Sequence, residues 1–473
     1  MQSVVQIIVA CPTCAMTCDI RATDPVDKLV KMPLGPYARW MFAWETRLTT
    51  RDTNRIVRPL EWGFDWLGEF APAEGLPSAA KAALSEGDGY GIHSASLRTS
   101  SEAAPLSKTA SAAVCAASDL DRMIAANEDI VGRSDEFFGY EMPTDFRIER
   151  RHPELYPTNV RPETLAMDAE MKRAAERGEI AEAEFLRFTS PVRTQYPEND
   201  QVNARWYPAA AEKIAERRRR GEPLQAIVVM PQWNADAISH NALCTLFNRF
   251  GISALRLSKP YHDVRRPAEL ERSDYAVSAN IGRTISACRQ AVVDIRCCID
   301  WLAAQGYQQF GVLGTSLGSC YAFIAAAHDA RLQVCAFNHA STWFGDVVFT
   351  GQSTRHIREA FEQAGLSRDQ VRQLFLGISP MSYMQRFAAN RNRPLVVHAT
   401  YDLTFLREFS LDVLRNFERY GVNYESRVLP CGHYTTGETP YKYLDGWYLG
   451  SFVYRAFRDL REGAASASPR ARR

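Results

Sequence analysis

The chain has 473 residues, 46% of them hydrophobic and 23% charged, a balance that fits a folded globular protein and not a disordered or membrane-spanning one. Its 56 basic and 55 acidic residues leave a formal net charge of +1, which removes the electrostatic ground for a nucleic-acid partner. No uninterrupted apolar run approaches the roughly eighteen residues that a membrane-crossing helix needs.

In chain order, the apolar stretch 4–10 has no Lys or Arg before it, so it is not read as a secretory signal. The cysteines number eleven, and most sit inside apolar, periodic segments, as do Cys288, Cys297, Cys298, Cys320 and Cys335. Such thiols suit a reducing compartment, and a cytoplasmic location is expected. Cys11, Cys14 and Cys18 could offer three thiolates to zinc or an iron–sulfur cluster. No Cys or His pair follows at metal-finger spacing, so no metal and no cofactor is expected. Residues 38–70 concentrate Trp40, Phe42, Trp44, Trp62, Phe64, Trp66 and Phe70, read as a cover over a larger domain. Residues 71–118 are dominated by Ala, Ser and Gly and read as a linker. The whole of 1–160 is expected to be an N-terminal extension. Residues 164–186, broken by Gly178, then read as a helical hairpin.

From residue 187 strands and helices alternate. Strands are expected at 188–192 and 201–206, joined by the turn 197–200, then at 226–230, 253–257, 310–313, 332–337, 394–398 and 424–429. Helices are expected at 209–219, 242–250, 281–304, 320–328, 410–420 and 441–460, several stopped by glycines such as Gly251 and Gly306. The basic run 217–220 reads as a solvated helix end. Such alternation predicts an α/β fold, a mostly parallel sheet covered by helices on both faces, over 161–462. Residues 341–389 interrupt it as a helical insertion, with Ser367 and Gln370 spaced as a capping box, and are expected to form a lid. The tail 463–473 is small, polar and basic and is expected to be disordered.

The chemistry centres on Gly314-Thr315-Ser316-Leu317-Gly318, between an apolar strand and an apolar helix. A serine on so sharp a turn is exposed above the sheet, and the following helix aims its first amides at developing negative charge. A serine hydroxyl needs a base oriented by a carboxylate. Of nine histidines, His433 follows the last expected strand and is the preferred base. His398 and His339 end strands and rank below it, while His240 and His262 precede the serine and have the wrong chain order. Asp402, on the loop after strand 394–398, is the preferred acid, with Asp346 as the fallback; Asp369 and Asp412 lie in expected helices.

From about 187 to 460 these residues, the 314–318 elbow, the Asp402 loop and the Gly432-His433 turn, resemble the α/β-hydrolase superfamily, particularly its esterase-like and dienelactone-hydrolase-like branches. The resemblance implies ester hydrolysis through an acyl-enzyme on Ser316, with Asp402 and His433 completing a triad. It implies an oxyanion hole from the backbone amide of Leu317 and that of Trp233 or Gln232. There the chain departs from the usual His-Gly, reading Pro231-Gln232-Trp233-Asn234. The implied partner is a small-molecule ester, and Trp343, Phe344 and Phe349 suggest an apolar acyl pocket. An acyltransferase using the same triad, a non-catalytic interaction protein of the same fold, and the oligomeric state stay open.

Overall fold

Apolar runs separated by helical segments fold into one nine-stranded sheet: β1 Arg147–Arg151, β2 Ala183–Thr189, β3 Gln201–Tyr207, β4 Gln225–Met230, β5 Ser253–Leu257, β6 Gln309–Thr315, β7 Leu332–Asn338, β8 Arg393–Ala399 and β9 Glu425–Leu429. The structure is a computed structural model that describes residues 35–72, 118–390 and 392–467. Cys11, Cys14 and Cys18, nearly all of the 71–118 stretch and the last six residues of the tail lie outside the described residues. The strand order is β1-β2-β3-β5-β4-β6-β7-β8-β9. From β5 through β4, β6, β7 and β8 to β9 every neighbouring pair is parallel, whereas β1–β2, β2–β3 and β3–β5 are antiparallel. The expected mostly parallel sheet is present, with an antiparallel wing at one edge.

The described helices are α1 Pro36–Thr50, α2 Asp119–Gly132, α3 Pro162–Glu176, α4 Ala211–Arg220, α5 Asn241–Arg249, α6 Ile281–Ala304, α7 Leu317–His328, α8 Phe344–Thr350, α9 Arg355–Gln363, α10 Arg368–Leu374, α11 Met384–Ala389, α12 Arg407–Arg419 and α13 Tyr441–Ala467, besides isolated single turns. Every residue of β4 and β6 is buried, which is why those segments are continuous apolar runs. Alternate β4 residues serve opposite faces. Ala226, Val228 and Met230 join α6, α7 and α12 in one core; Ile227 and Val229 join α5 and α13 in the other. Asn280 caps α6 by accepting the Arg283 amide, and the Ser367–Gln370 capping box opens α10 as its sequence spacing predicts.

Several expectations change; the tail read as disordered from 463, for one, continues the last helix as far as Ala467. The hairpin at 164–186 is instead α3 followed by β2, where apolar residues alternate with period two as Leu186 and Phe188 enter the core. β2 ends at Thr189, not at residue 192, and 197–200 makes a single helical turn. The sheet also begins before residue 160, inside the stretch read as an extension: β1 pairs with β2, and Met123, Ala126 and Ile130 of α2 lie in the main core. β1 reads Arg-Ile-Glu-Arg-Arg and has no apolar signature because it is an edge strand whose charges face water. Phe42 and Phe70 of the aromatic stretch are buried, while Trp40 is exposed.

One buried ion pair ties the wing to the parallel sheet. Arg265 and Asp294 are at or below 1% exposure and meet at 2.8 Å. Asp294 also accepts from Ser190 Oγ at 2.7 Å, and Arg265 donates to the carbonyls of Asn199 and Ser258. Asp294→Ala would strand the guanidinium in the core, so it should lower unfolding free energy by about 3–5 kcal/mol, read from denaturant titration.

Candidate active site

The sheet brings the C-terminal ends of β6, β7, β8 and β9 to one rim, and the loops leaving them carry the site. Ser316 follows β6 directly, at φ 57° and ψ −120°, a conformation that non-glycine residues rarely adopt. Its amide donates to Asn338 O at 2.7 Å, and Ser319 Oγ donates to its carbonyl at 2.6 Å. The elbow closes only because a Cβ on Gly314 would strike Gly318 O, and one on Gly318 would strike the carbonyls of Met230 and Pro231.

His433 Nε2 lies 3.0 Å from Ser316 Oγ, and His433 Nδ1 lies 2.9 Å from Asp402 Oδ2. Since an ionised carboxylate only accepts, Nδ1 carries the proton and Nε2 is free to accept from the hydroxyl. The Phe405 ring stacks on the imidazole, with centroids 5.4 Å apart. Asp402 Oδ1 accepts the amides of Thr404 and Phe405 at 2.8 and 2.7 Å. Burial pushes this carboxyl up, but the His433 charge and the hydrogen bonds from His339 and His433 outweigh it and hold it well below the usual carboxylate range. Burial pulls His433 down, yet the charge and hydrogen bond of Asp402, with Glu45 beside them, leave it above the ordinary imidazole value.

A serine on a strand-to-helix elbow, an aspartate after β8 and a histidine after β9 now stand together on a sheet of the matching order. The fold is that of an α/β-hydrolase. No family model matches the sequence, and no curated protein does. Solved structures resemble it distantly. Acetyl xylan esterase 1 from Thermoanaerobacterium sp. aligns with 70% of this chain and 93% of its own, at 14% identity and a TM-score of 0.47. The acetyl xylan esterase from Paenibacillus sp. R4 aligns with 71% and 94%, at 12% identity and 0.45. Acylaminoacyl peptidase from Pyrococcus horikoshii aligns with 56% of this chain, at 11% identity and 0.41, and this chain spans only 44% of the peptidase's length.

The other histidines have different places. His339, at φ 56°, points its Nδ1 at the same Asp402 oxygen at 2.8 Å, while its Nε2 lies 3.3 Å from Thr436 Oγ1. Burial, then the neighbouring His433 charge, lowers its pKa and keeps it neutral. It bonds to Asp402 and Thr436 and makes no hydrogen bond to Ser316. His339, Asp402 and His433 are the kind of trio that can hold a metal. Their 2.8–2.9 Å separations are those of direct hydrogen bonds, whereas two ligand atoms on one tetrahedral zinc stand roughly 3.3 Å apart. His398 on β8 hydrogen-bonds none of the three. His240 Nε2 lies 2.9 Å from Thr315 Oγ1, its pKa pulled down to about 3 by burial and by Arg256 and Lys259.

His262 accepts the Asn234 amide at 3.1 Å and so steadies the 231–234 loop. Lys259 Nζ donates to Gln232 O, Thr158 Oγ1 to Asn234 O, the Ser273 amide to Asn234 Oδ1, and Trp233 Nε1 to Ser273 O, all within 2.8–2.9 Å. The backbone N–H groups of Gln232 and Trp233 make no hydrogen bond among the described residues, and both residues line the same cavity as Ser316 and Leu317.

That cavity holds about 1020 Å³. Phe344, Val347 and Val348 of the insertion line it, but Trp343 and Phe349 do not; Trp343 lies instead under the Arg372 guanidinium. Glu45 of α1, absent from every sequence-based expectation, is fully buried and accepts the amides of Tyr434 and Thr435, next to His433. Its signal was there: with Met41 and Leu48 it falls on the apolar face of α1 at i, i+4 and i+7.

Asp346, the fallback acid, is buried inside the insertion and accepts from Arg368 Nη2 at 2.7 Å and from Arg372 Nε and Nη2 at 2.9 and 2.6 Å. It braces α8 against α10 and touches no histidine of the site. Because the two arginines keep some solvent contact, Asp346→Asn should lower stability by about 1–3 kcal/mol, measurable by thermal denaturation as a loss of Tm.

Proposed function

We propose that the chain is a serine hydrolase that cleaves a carboxylic ester through an acyl-enzyme on Ser316. The observation that carries this is the relay from Ser316 Oγ to His433 Nε2, 3.0 Å, and from His433 Nδ1 to Asp402 Oδ2, 2.9 Å. His433 takes the hydroxyl proton as Ser316 Oγ attacks the ester carbonyl, and Asp402 stabilises the imidazolium that forms. The tetrahedral oxyanion is held by the Leu317 amide at the head of α7 and by the Trp233 or Gln232 amide. As the intermediate collapses, the acyl–oxygen bond breaks and His433 hands its proton to the departing alcohol. Water then attacks the acyl-enzyme, with His433 again as base, and releases the acid.

The apolar wall of Phe344, Val347 and Val348 supports an apolar acyl group, and Asp236, Asn159 and Lys442 on other walls support a polar alcohol portion. Because the acyl wall comes from the insertion between β7 and β8, that insertion acts as a lid that selects the substrate. Seven described cysteines are free and buried, which supports a reducing, cytoplasmic setting. No described helix is long and apolar enough to cross a membrane.

Ser316→Ala should reduce ester hydrolysis by about a million-fold and abolish labelling by a fluorophosphonate probe; labelling that survives at full rate would refute the assignment. The pH profile supplies an independent check. His433 must be neutral to act, and its pKa is raised, so the acidic limb of kcat/KM should fall above the ordinary imidazole value of about 6.5. In Asp402→Asn the stabilising charge is gone while burial remains. The limb should then move to lower pH, and the rate at the plateau should drop by about ten-thousand-fold.

A further inference from the structure

We infer that the N-terminal helix α1 is a working part of the active site, with Glu45 as a positioning residue for His433; the inference rests on the serine-hydrolase reading above. A carboxyl group on the apolar side of a helix is costly unless its lone pairs are filled. Those of Glu45 are filled by the base loop. Oε1 accepts the Tyr434 amide at 2.8 Å, and Oε2 accepts the Tyr434 amide at 3.1 Å, the Thr435 amide at 2.9 Å and Thr435 Oγ1 at 3.1 Å. These donors belong to the two residues that follow His433.

On the other side of His433, a Cβ on Gly432 would run into the Glu45 carboxylate, so the contact requires glycine there. About two turns earlier on α1, Tyr37 Oη donates to Pro430 O at 2.5 Å. The same helix reaches the acid as well, for Phe42 packs on Leu403 and lies edge-on to Tyr401, the residues flanking Asp402. A single helix, more than 350 residues distant in sequence, thus holds the loops of both base and acid. The β9–α13 loop that carries His433 bonds within itself through Thr435 and Thr436, and α1 adds the contacts that fix it from outside.

The test uses the full chain, p-nitrophenyl acetate hydrolysis and fluorophosphonate labelling of Ser316. Glu45→Ala, with its far-UV spectrum unchanged, should lose about 10- to 100-fold in kcat with KM altered less than about threefold, as expected when a catalytic group drifts by an ångström or less. Glu45→Gln, whose carbonyl oxygen still accepts from Thr435, should recover most of that loss. Gly432→Ala displaces the carboxylate without removing it; its kcat should fall several-fold, and the double variant with Glu45→Ala should be no worse than Glu45→Ala alone.

The inference is overturned if Glu45→Ala keeps kcat within about twofold, if the loss falls on KM alone, if Glu45→Gln is as impaired as Glu45→Ala, or if the two substitutions add. Should Glu45→Ala not fold, wild-type kcat in Gly432→Ala overturns it equally. A wild-type chain that neither labels nor hydrolyses the ester would refute the serine-hydrolase reading, and the positioning role with it.

Discussion

The Asp402 carboxylate is the constraint around which the site is built. It is buried, and a buried charge is tolerated only when its acceptor sites are occupied. Here they are: two histidine Nδ1 groups meet Oδ2, and two successive loop amides meet Oδ1. Filling four sites requires His339, just after β7, the turn at 404–405 after β8, and the loop after β9 to converge on one point. Ser316 is tied to the same point from below, because its amide bonds to Asn338, the residue before His339. The strained backbone at Ser316 and His339 persists because these bonds over-determine it.

Two carboxyl groups near one imidazole set the electrostatics. Burial and the proximity of Asp402 push Glu45 up to about 7, while Asp402 stays ionised. The division is physical. Asp402 bonds directly to imidazole nitrogens and so gains most when His433 becomes charged, whereas Glu45 bonds to backbone amides whose charge does not change. In the proposed reaction, an imidazolium on His433 would sit between a carboxylate that stays ionised and one whose pKa is pushed up to about 7. Such a pair favours the charged form of His433.

What was legible in the sequence is what is local. The elbow, the capping box at Ser367 and the long buried strands each depend on residues within one or two elements, so pattern alone finds them. The misreadings share another cause. β1 carries Arg and Glu because it is an edge, and β2 was hidden behind a helix former run broken at Gly178. Asp346 looked suitable because it follows β7 in sequence, but its loop curls into α8 and spends the carboxylate on two arginines. His339 and Glu45 acquire their places through contacts 63 and 389 residues away. No periodicity encodes such pairings, although an acidic residue on an apolar helix face was a visible anomaly.

The departure at Pro231-Gln232-Trp233-Asn234 is resolved by the same logic. A glycine in that loop would let the backbone turn its amide toward the substrate cheaply, but it would also leave the turn flexible. This chain instead places the left-handed step at Asn234, φ 55°, and fixes it from outside through His262, Lys259, Thr158 and Ser273. Those four residues come from the segment before α3 and from the long connection between β5 and α6, so elements that looked remote from the chemistry hold the loop still. In the oxyanion hole proposed above, donors fixed before a substrate arrives would need no reorganisation when charge develops, which is where preorganisation gains its advantage over water. Loss of the usual glycine therefore moves the determinant of this loop from the intrinsic freedom of one residue to the packing of its neighbours.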